Sequence, residues 1–212
     1  DLHSFPTRRS SDLLNRRDVE TQSRREVHPA DRINQALVAV GACGTQTAWR
    51  FPLRQSGLAM PVPNVLQAWD HFHQGRGLPE FEAHLVRQIR TWRPDVILTH
   101  DPNARGDEPV ETLIGQAVLQ LAERAADPAC FPEQIQAAGL RPWQVKKVYA
   151  ALRPDTHGAV NLNTSQLAGR LGRSLADLTA GPRGLVDDRY RPAPRSLGFY
   201  VMADRLNQDQ EH

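Results

Sequence analysis

Cysteine is scarce in this chain: 212 residues hold two, Cys43 and Cys130, with no CxxC pair and no Cys/His cluster around either. That usage does not fit a disulfide framework or a structural zinc finger. Both thiols read as small buried side chains. The chain also lacks any apolar run near the roughly 20 residues that a membrane-spanning helix needs. It lacks a charge excess worth the name. Lys and Arg number 26 against 24 acids, a net of +2. Bulk charge therefore gives no reason to expect a nucleic-acid partner. The basic run "RRDVETQSRRE" interleaves acids with its bases and reads as a solvated face. No GxGxxG or GxxxxGK loop is present, which counts against a generic nucleotide-binding α/β domain. These absences fit a reducing, cytoplasmic setting.

The first thirteen residues, DLHSFPTRRSSDL, resemble a reading-frame translation of a DNA-sequencing adapter. They are set aside as a fusion scar would be. Residues 14–212 then read as one domain, incomplete at its N-terminus.

Along those residues helix and strand patterns alternate. "HPADRINQALVAVGACG" reads as a helix capped by Asp31, with Ile33, Leu37 and Val40 at helical spacing. "TAWRFPL" suggests a short strand. The Pro- and Gly-rich stretch from Arg54 to Leu78 suggests an active-face loop with one short helix. "PEFEAHLVRQIRTW" sets Phe81, Leu85, Ile89 and Trp92 on one helical stripe, and Pro94 stops it. "DVILTH" is a short continuous apolar run, as a parallel strand buried on both faces requires. A long helix runs from about Pro109 to Ala126. "FPEQIQAAG" gives a short helix, "QVKKVYAAL" a strand, and "TSQLAGRLGRSLADLTAG" one or two helices. "LGFYVMADRL" closes as a strand or helix. Such alternation predicts an open α/β parallel sheet with helices on both faces. Ligands of such sheets sit beyond the carboxyl ends of the strands. The loop from His100 to Glu108 leaves one such end.

That loop is acidic. "GDEPVETLIGQAV" places Asp107, Glu108 and Glu111 at the mouth of the long helix. Glu108 and Glu111, three apart, share a face of its first turn. Three readings stand side by side. Acids at a helix N-terminus gain about 0.3–1 kcal/mol from the helix dipole, and Asp107 or Glu108 can cap free N–H groups. Carboxylates also ligate metal ions, and a purely carboxylate site favours magnesium, calcium or manganese over zinc. Close carboxylates can further act as an acid/base pair. His100 and Asp101 can join any of these.

The stretch "RTWRPDVILTHDPNARGDEPVETLIGQAV" resembles the PIG-L (LmbE-like) de-N-acetylases, whose corresponding helix opens with H-P-D-H and carries a glycine four residues on. "AADPACFPEQIQAAGLRPWQVKKVYAAL", "GRLGRSLADLTAG" and "HPADRINQALVAVGA" are similar to further segments of the family. The resemblance implies an LmbE-like Rossmann-type fold and a zinc-dependent hydrolase that removes acetyl groups from N-acetylglucosamine-type sugars or related amides. The metal would activate water and polarise the amide carbonyl. In the family two zinc ligands and a base Asp come from an N-terminal A-H-P-D-D motif, which is absent here. The first strand and helix are therefore expected to be missing, and the chain as given is expected to be poorly soluble or inactive.

Counting back from Gly115, the H-P-D-H positions are held by Glu108, Pro109, Val110 and Glu111. Glu111 falls where the third zinc ligand belongs. Glu108 falls where a His stabilises the oxyanion, and a carboxylate there repels negative charge unless protonated. Where longer members carry H-x-S-Q, this chain reads "GLVDD" (Gly184 to Asp188). The resulting assignment makes Asp101 and Glu108 catalytic and Glu111 the metal ligand. His100, Arg105, Asp107 and His157 contact substrate. For Arg105 a plain surface role competes. A catalytically silent relative that binds a sugar or a protein is the alternative to the enzyme. His71 and His73 flank Phe72 and read as loop residues at a pocket rim, or as paired metal ligands on a strand, with Trp69 as a sugar platform. His84 is assigned no role. Trp92 and Trp143 read as packing.

Overall fold

The computed structural model describes residues 29–46, 48, 50–52, 61–103, 109–186 and 192–206. The adapter-like segment and the basic run to Glu26 lie outside the described residues. In chain order the elements are α1 (Pro29–Ala39), α2 (Val62–Phe72), α3 (Gly77–Trp92), β1 (Val96–His100), α4 (Pro109–Arg124), α5 (Pro132–Gln136), β2 (Lys147–Ala151), β3 (Val160–Asn163), β4 (Leu167–Ala168), β5 (Arg173–Ser174), α6 (Leu175–Val186) and β6 (Ser196–Asp204). They form two compact units. One comprises residues 1–47 and 167–193, the other 48–166 and 194–212.

In the first unit α1 lies against α6, and β4 pairs antiparallel with β5. The β4–β5 hairpin occupies "LAGRLGRS", where helical spacing of Leu167 and Leu171 predicts a helix. Gly172, at φ +65°, turns the chain there instead. Asp31 sits inside the first turn of α1 rather than at its cap, because Pro29 already opens the helix. Cys43 is exposed rather than buried, since it follows the end of α1. Cys130, in the other unit, is only half-buried, with Sγ donating to Asp127 Oδ2.

The second unit is built on a four-stranded sheet of order β1-β2-β6-β3. Only β1 and β2 run parallel. The β2–β6 and β6–β3 pairs are antiparallel, so the sheet is mixed rather than wholly parallel. β3 (VNLN) was not anticipated, because every one of its residues is exposed and no apolar alternation marks it.

One face of the sheet is packed. Val86 and Ile89 from α3, and Leu121, Ala122 and Ala125 from α4, meet Val145 and Val148, with Ile97, Met202 and Ala203 beside them. The cross-strand partners show what lies opposite. Leu98, Tyr149 and Val201 form one row of the other face, and Val160 pairs with Phe199 in another. Leu98 is 63% exposed and Val96 49% exposed. The expectation of a strand buried on both faces is therefore corrected. A continuous Val-Ile-Leu run is the usual mark of double burial. Here β1 is an edge of the sheet, and among the described residues helices pack on one face only.

A second core gathers Phe51, Val65, Trp69 and Phe81. Trp69 is 1% exposed, and its Nε1 donates to the Pro52 carbonyl. It is a core residue, not a sugar platform. His73 caps α2, is buried, stacks on Phe51 at 4.7 Å and bonds the Arg50 carbonyl through Nε2. His71 stands exposed on α2. The two histidines therefore share neither a strand face nor a rim, because two residues of helical turn set them about 200° apart. Phe51 enters its aromatic cluster from a turn, not from the expected strand. Gly77 lets α3 close onto α2. A Cβ there would meet the backbone of Trp69 and Asp70 at 2.7 Å, and its N–H is held by Asp70 Oδ1 at 2.7 Å. Trp92 is 59% exposed, so it leaves the apolar stripe it was assigned to. Trp143 does pack, its Nε1 donating to the Pro94 carbonyl at 2.9 Å.

Candidate functional site

β1 ends at His100 and α4 begins at Pro109, as the sequence pattern requires. Between them the chain turns through Asp101, Pro102 and Asn103. Arg105, Asp107 and Glu108 lie outside the described residues. Proline at the first helical position costs nothing, because that N–H has no intrahelical partner. Gly115, nearly two turns into α4, is buried directly against the end of β1. A Cβ at that position would collide with the His100 carbonyl oxygen and approach Pro102 N at 3.1 Å. Only glycine lets the helix lie this close to the strand end. The position of Glu111 relative to His100 follows from that approach.

His100 and Glu111 meet across the mouth. Nδ1 and Oε2 are 3.6 Å apart, and each side chain is 48% exposed. The distance suits an ion pair more than a hydrogen bond. Asp101 belongs to a different network. Its Oδ1 accepts from the Asn103 backbone N–H at 2.9 Å and from the Tyr200 hydroxyl at 3.2 Å. Asn103 Nδ2 in turn donates to the Tyr200 oxygen at 3.1 Å. Tyr200 comes from β6. Its row partner on β2 is Ala150, whose small side chain leaves the ring room to reach the loop beyond β1. Burial, and then the Asp101 carboxylate, hold the Tyr200 phenol above its ordinary pKa of 10.0.

Of the residues singled out in the sequence, the structure thus brings His100 and Glu111 face to face and holds Asp101 in a separate network with Asn103 and Tyr200. His157 stands apart. It is exposed in the loop between β2 and β3, and among the described residues no bond joins it to those three. Tyr200 and Asn103 were not singled out. Asn103 lay in plain view on the same loop, two residues after Asp101. Tyr200 is 99 residues from Asp101 in sequence, so no local pattern could find it.

Metal binding can be tested on the donors. His100 and Glu111 offer one nitrogen and one oxygen. Zinc sites take three or four protein ligands. Among the described residues no group of three His, Cys, Asp or Glu side chains is disposed to hold a metal ion. The described donors therefore do not complete a zinc site. Among the same residues no helix is long and apolar enough to cross a membrane.

Comparison with known proteins adds the following. No family model matches the chain. It is 34% identical over 109 residues to 1D-myo-inositol 2-acetamido-2-deoxy-alpha-D-glucopyranoside deacetylase 1 of Catenulispora acidiphila, covering 49% of this chain and 32% of that protein. To the deacetylase of the same description from Thermobispora bispora it is 36% identical over 128 residues, 58% of this chain and 39% of the relative. To that of Streptomyces avermitilis it is 39% identical over 72 residues, 34% and 23% respectively. The match thus spans well under half the length of each of these curated relatives.

Proposed function

We propose that the protein is a PIG-L-like amide hydrolase with an LmbE-like Rossmann-type core, which removes the acetyl group from a 2-acetamido-2-deoxy sugar. One observation carries this reading: the shared identity, over more than a hundred residues, with enzymes described as deacetylases of such a sugar. Residues 14–212 are proposed to form the domain that carries the site.

The roles assigned below rest on side-chain chemistry and on the motif positions, with contacts given only for Asp101, His100 and Glu111. Asp101 has one carboxylate oxygen fixed by Asn103 and Tyr200. Among the described residues its other oxygen accepts nothing, which suits a base that takes a proton from water. Glu108, in its protonated form, is assigned to return a proton to the leaving amine. Glu111 and His100 face each other at the mouth, where Glu111 would be the metal ligand and His100 would meet the sugar. Arg105, Asp107 and His157 are assigned to substrate contact. Zinc, when bound, would polarise the amide carbonyl. The described donors leave that site incomplete, so no step is derived through it.

The test is amine release. The full-length protein that carries residues 14–212 is incubated with N-acetylglucosaminyl-inositol and with N-acetylglucosamine, with and without added zinc, and free primary amine is measured by fluorescamine. Amine formation above a Glu111→Ala, Asp101→Asn control is the expected result. No amine from either sugar would overturn the hydrolase reading. A second reading, a silent relative that keeps the sugar site, draws on the incomplete donor set. It predicts saturable binding of the same sugars by calorimetry without amine release.

A further inference from the structure

A cleft of ≈ 250 Å³ opens beside the aromatic core of the second unit, lined by residues other than those at the end of β1. One wall is a single face of α3. Glu80, His84 and Arg87 stand at helical spacing along it. Arg50, just before Phe51, and Glu133, at the start of α5, face the same space.

Among the described residues neither Arg50 nor Arg87 forms an ion pair, although each is close enough to act on the His84 imidazole. Glu80 is already engaged by Arg76 at 3.5 Å. Gln134, which also lines the cleft, has both ends of its amide committed, to the Ala83 carbonyl and to Arg90. It acts as wall rather than ligand. Phe51 closes the floor, its ring 5.6 Å from that of His84. Burial, then Arg50 and Arg87, push the His84 imidazole below its ordinary pKa, and neither Glu80 nor Glu133 reverses that. Arg50 and Arg87 both line this concave, partly apolar cleft, and among the described residues no carboxylate pairs with either, so their planar donor forks match an oxyanion.

We propose that this cleft binds a small oxyanion, a phosphate- or carboxylate-bearing molecule, between Arg50 and Arg87, with His84 as the third donor. The Glu80 and Glu133 carboxylates, which also line the cleft, disfavour a second anionic group on the ligand. The site is independent of any chemistry at His100 and Glu111.

The test follows the His84 Cε1–H proton resonance of the 212-residue chain by NMR while inorganic phosphate, or acetate, is added at constant ionic strength with chloride as control. The expected result is a saturable shift with a Kd of about 1 mM and a rise in the pKa of His84. A response to phosphate alone assigns a phosphate-bearing ligand, and a response to acetate alone assigns a carboxylate. Arg50→Gln with Arg87→Gln removes the response. Arg87→Lys keeps the charge and the helix but loses the fork, and weakens binding by about tenfold. That second variant decides the matter if the double variant does not fold. A shift that fails to saturate by about 50 mM, one that chloride reproduces, or one that both variants leave unchanged overturns the proposal.

Discussion

Two charged clusters in the same unit are held in opposite ways. Arg90, inside α3, is 1% exposed. Its guanidinium donates to the carbonyl oxygens of Arg124, Ala125, Asp127, Cys130 and Phe131, and to Gln134 Oε1, at 2.8–3.5 Å. No carboxylate lies within ion-pair distance of it among the described residues. The charge is stabilised by carbonyl dipoles, several of them from the end of α4 and the turn beyond, where a cation is favoured. His100 and Glu111 instead face each other at 3.6 Å, half in water. A guanidinium has five N–H donors, and Arg90 spends them all on backbone and amide oxygen. It has nothing left for a ligand, so it is architecture. The exposed pair keeps most of its bonding capacity, which is what a binding site requires.

Breaking Arg90 gives the largest expected effect. Arg90→Ala strands a set of buried carbonyls from residues 124–131 and leaves a void beneath Gln134. We expect a loss of about 3–5 kcal/mol in urea unfolding, the scale seen when a buried charged network loses a member. Arg90→Lys restores a charge but not the fork and recovers only part of the loss. A loss below about 1 kcal/mol for the alanine variant would mean that the turn after α4 is held by other contacts.

Gly115→Ala comes next, and it joins the two regions. The added methyl would collide with the His100 carbonyl, so α4 must move off the end of β1. Overpacking of this kind costs about 1–3 kcal/mol. The same shift carries Glu111 away from His100. Measured stability and the His100 ring chemical shift should therefore change together. A stable variant with an unmoved His100 signal would show that α4 does not set the spacing of the pair.

Much of this arrangement was legible in the sequence, and the limits have physical causes. β1, β2, α3 and α4 announced themselves through apolar runs, helical spacing and the Pro109 start. Gly115 was visible as a fixed point of the motif, but its reason, contact with His100, is tertiary. Arg90 shares a helix face with Val86 and Ile89, a spacing that marks it as buried. In the run "RQIRTW" it still reads as one more solvated base. β3 and the β4–β5 hairpin were missed because short exposed strands carry no period-two pattern. The bond from Tyr200 to Asp101 bridges the two ends of the unit, and no local rule reaches that far. The open sheet face was misread because Val96 and Leu98 are apolar whether or not anything covers them.

Tyr200→Phe is a smaller break. It removes one hydrogen bond to Asp101 and one from Asn103, worth about 1 kcal/mol together with the freed carboxylate. Its signature lies in the pH dependence. The phenol titrates above 10.0 in the folded protein and near 10.0 when unfolded. The folded state thus holds its proton longer. The associated stability is complete below pH 10.0 and is lost as pH rises through the folded value. The phenylalanine variant should show a flatter decline in stability above that pH. An unchanged decline would assign it to other groups.

The smallest effect on stability is expected at Glu111, and this is where the contrast with Arg90 is sharpest. Glu111→Ala removes half of an exposed pair, so the urea midpoint should shift by no more than about 0.5 kcal/mol. The bound-zinc content of the full-length protein, measured after equilibration with the metal and gel filtration, should nevertheless fall. A residue silent in folding but not in metal retention behaves as a ligand. A stability loss near 1 kcal/mol with unchanged zinc would assign Glu111 to the dipole of α4, as an acid in the first turn of a helix and nothing more. His100→Ala separates these outcomes further. It removes the other half of the pair while leaving both the helix-dipole interaction and the proposed metal ligand Glu111 in place, so zinc content should fall in Glu111→Ala and hold in His100→Ala.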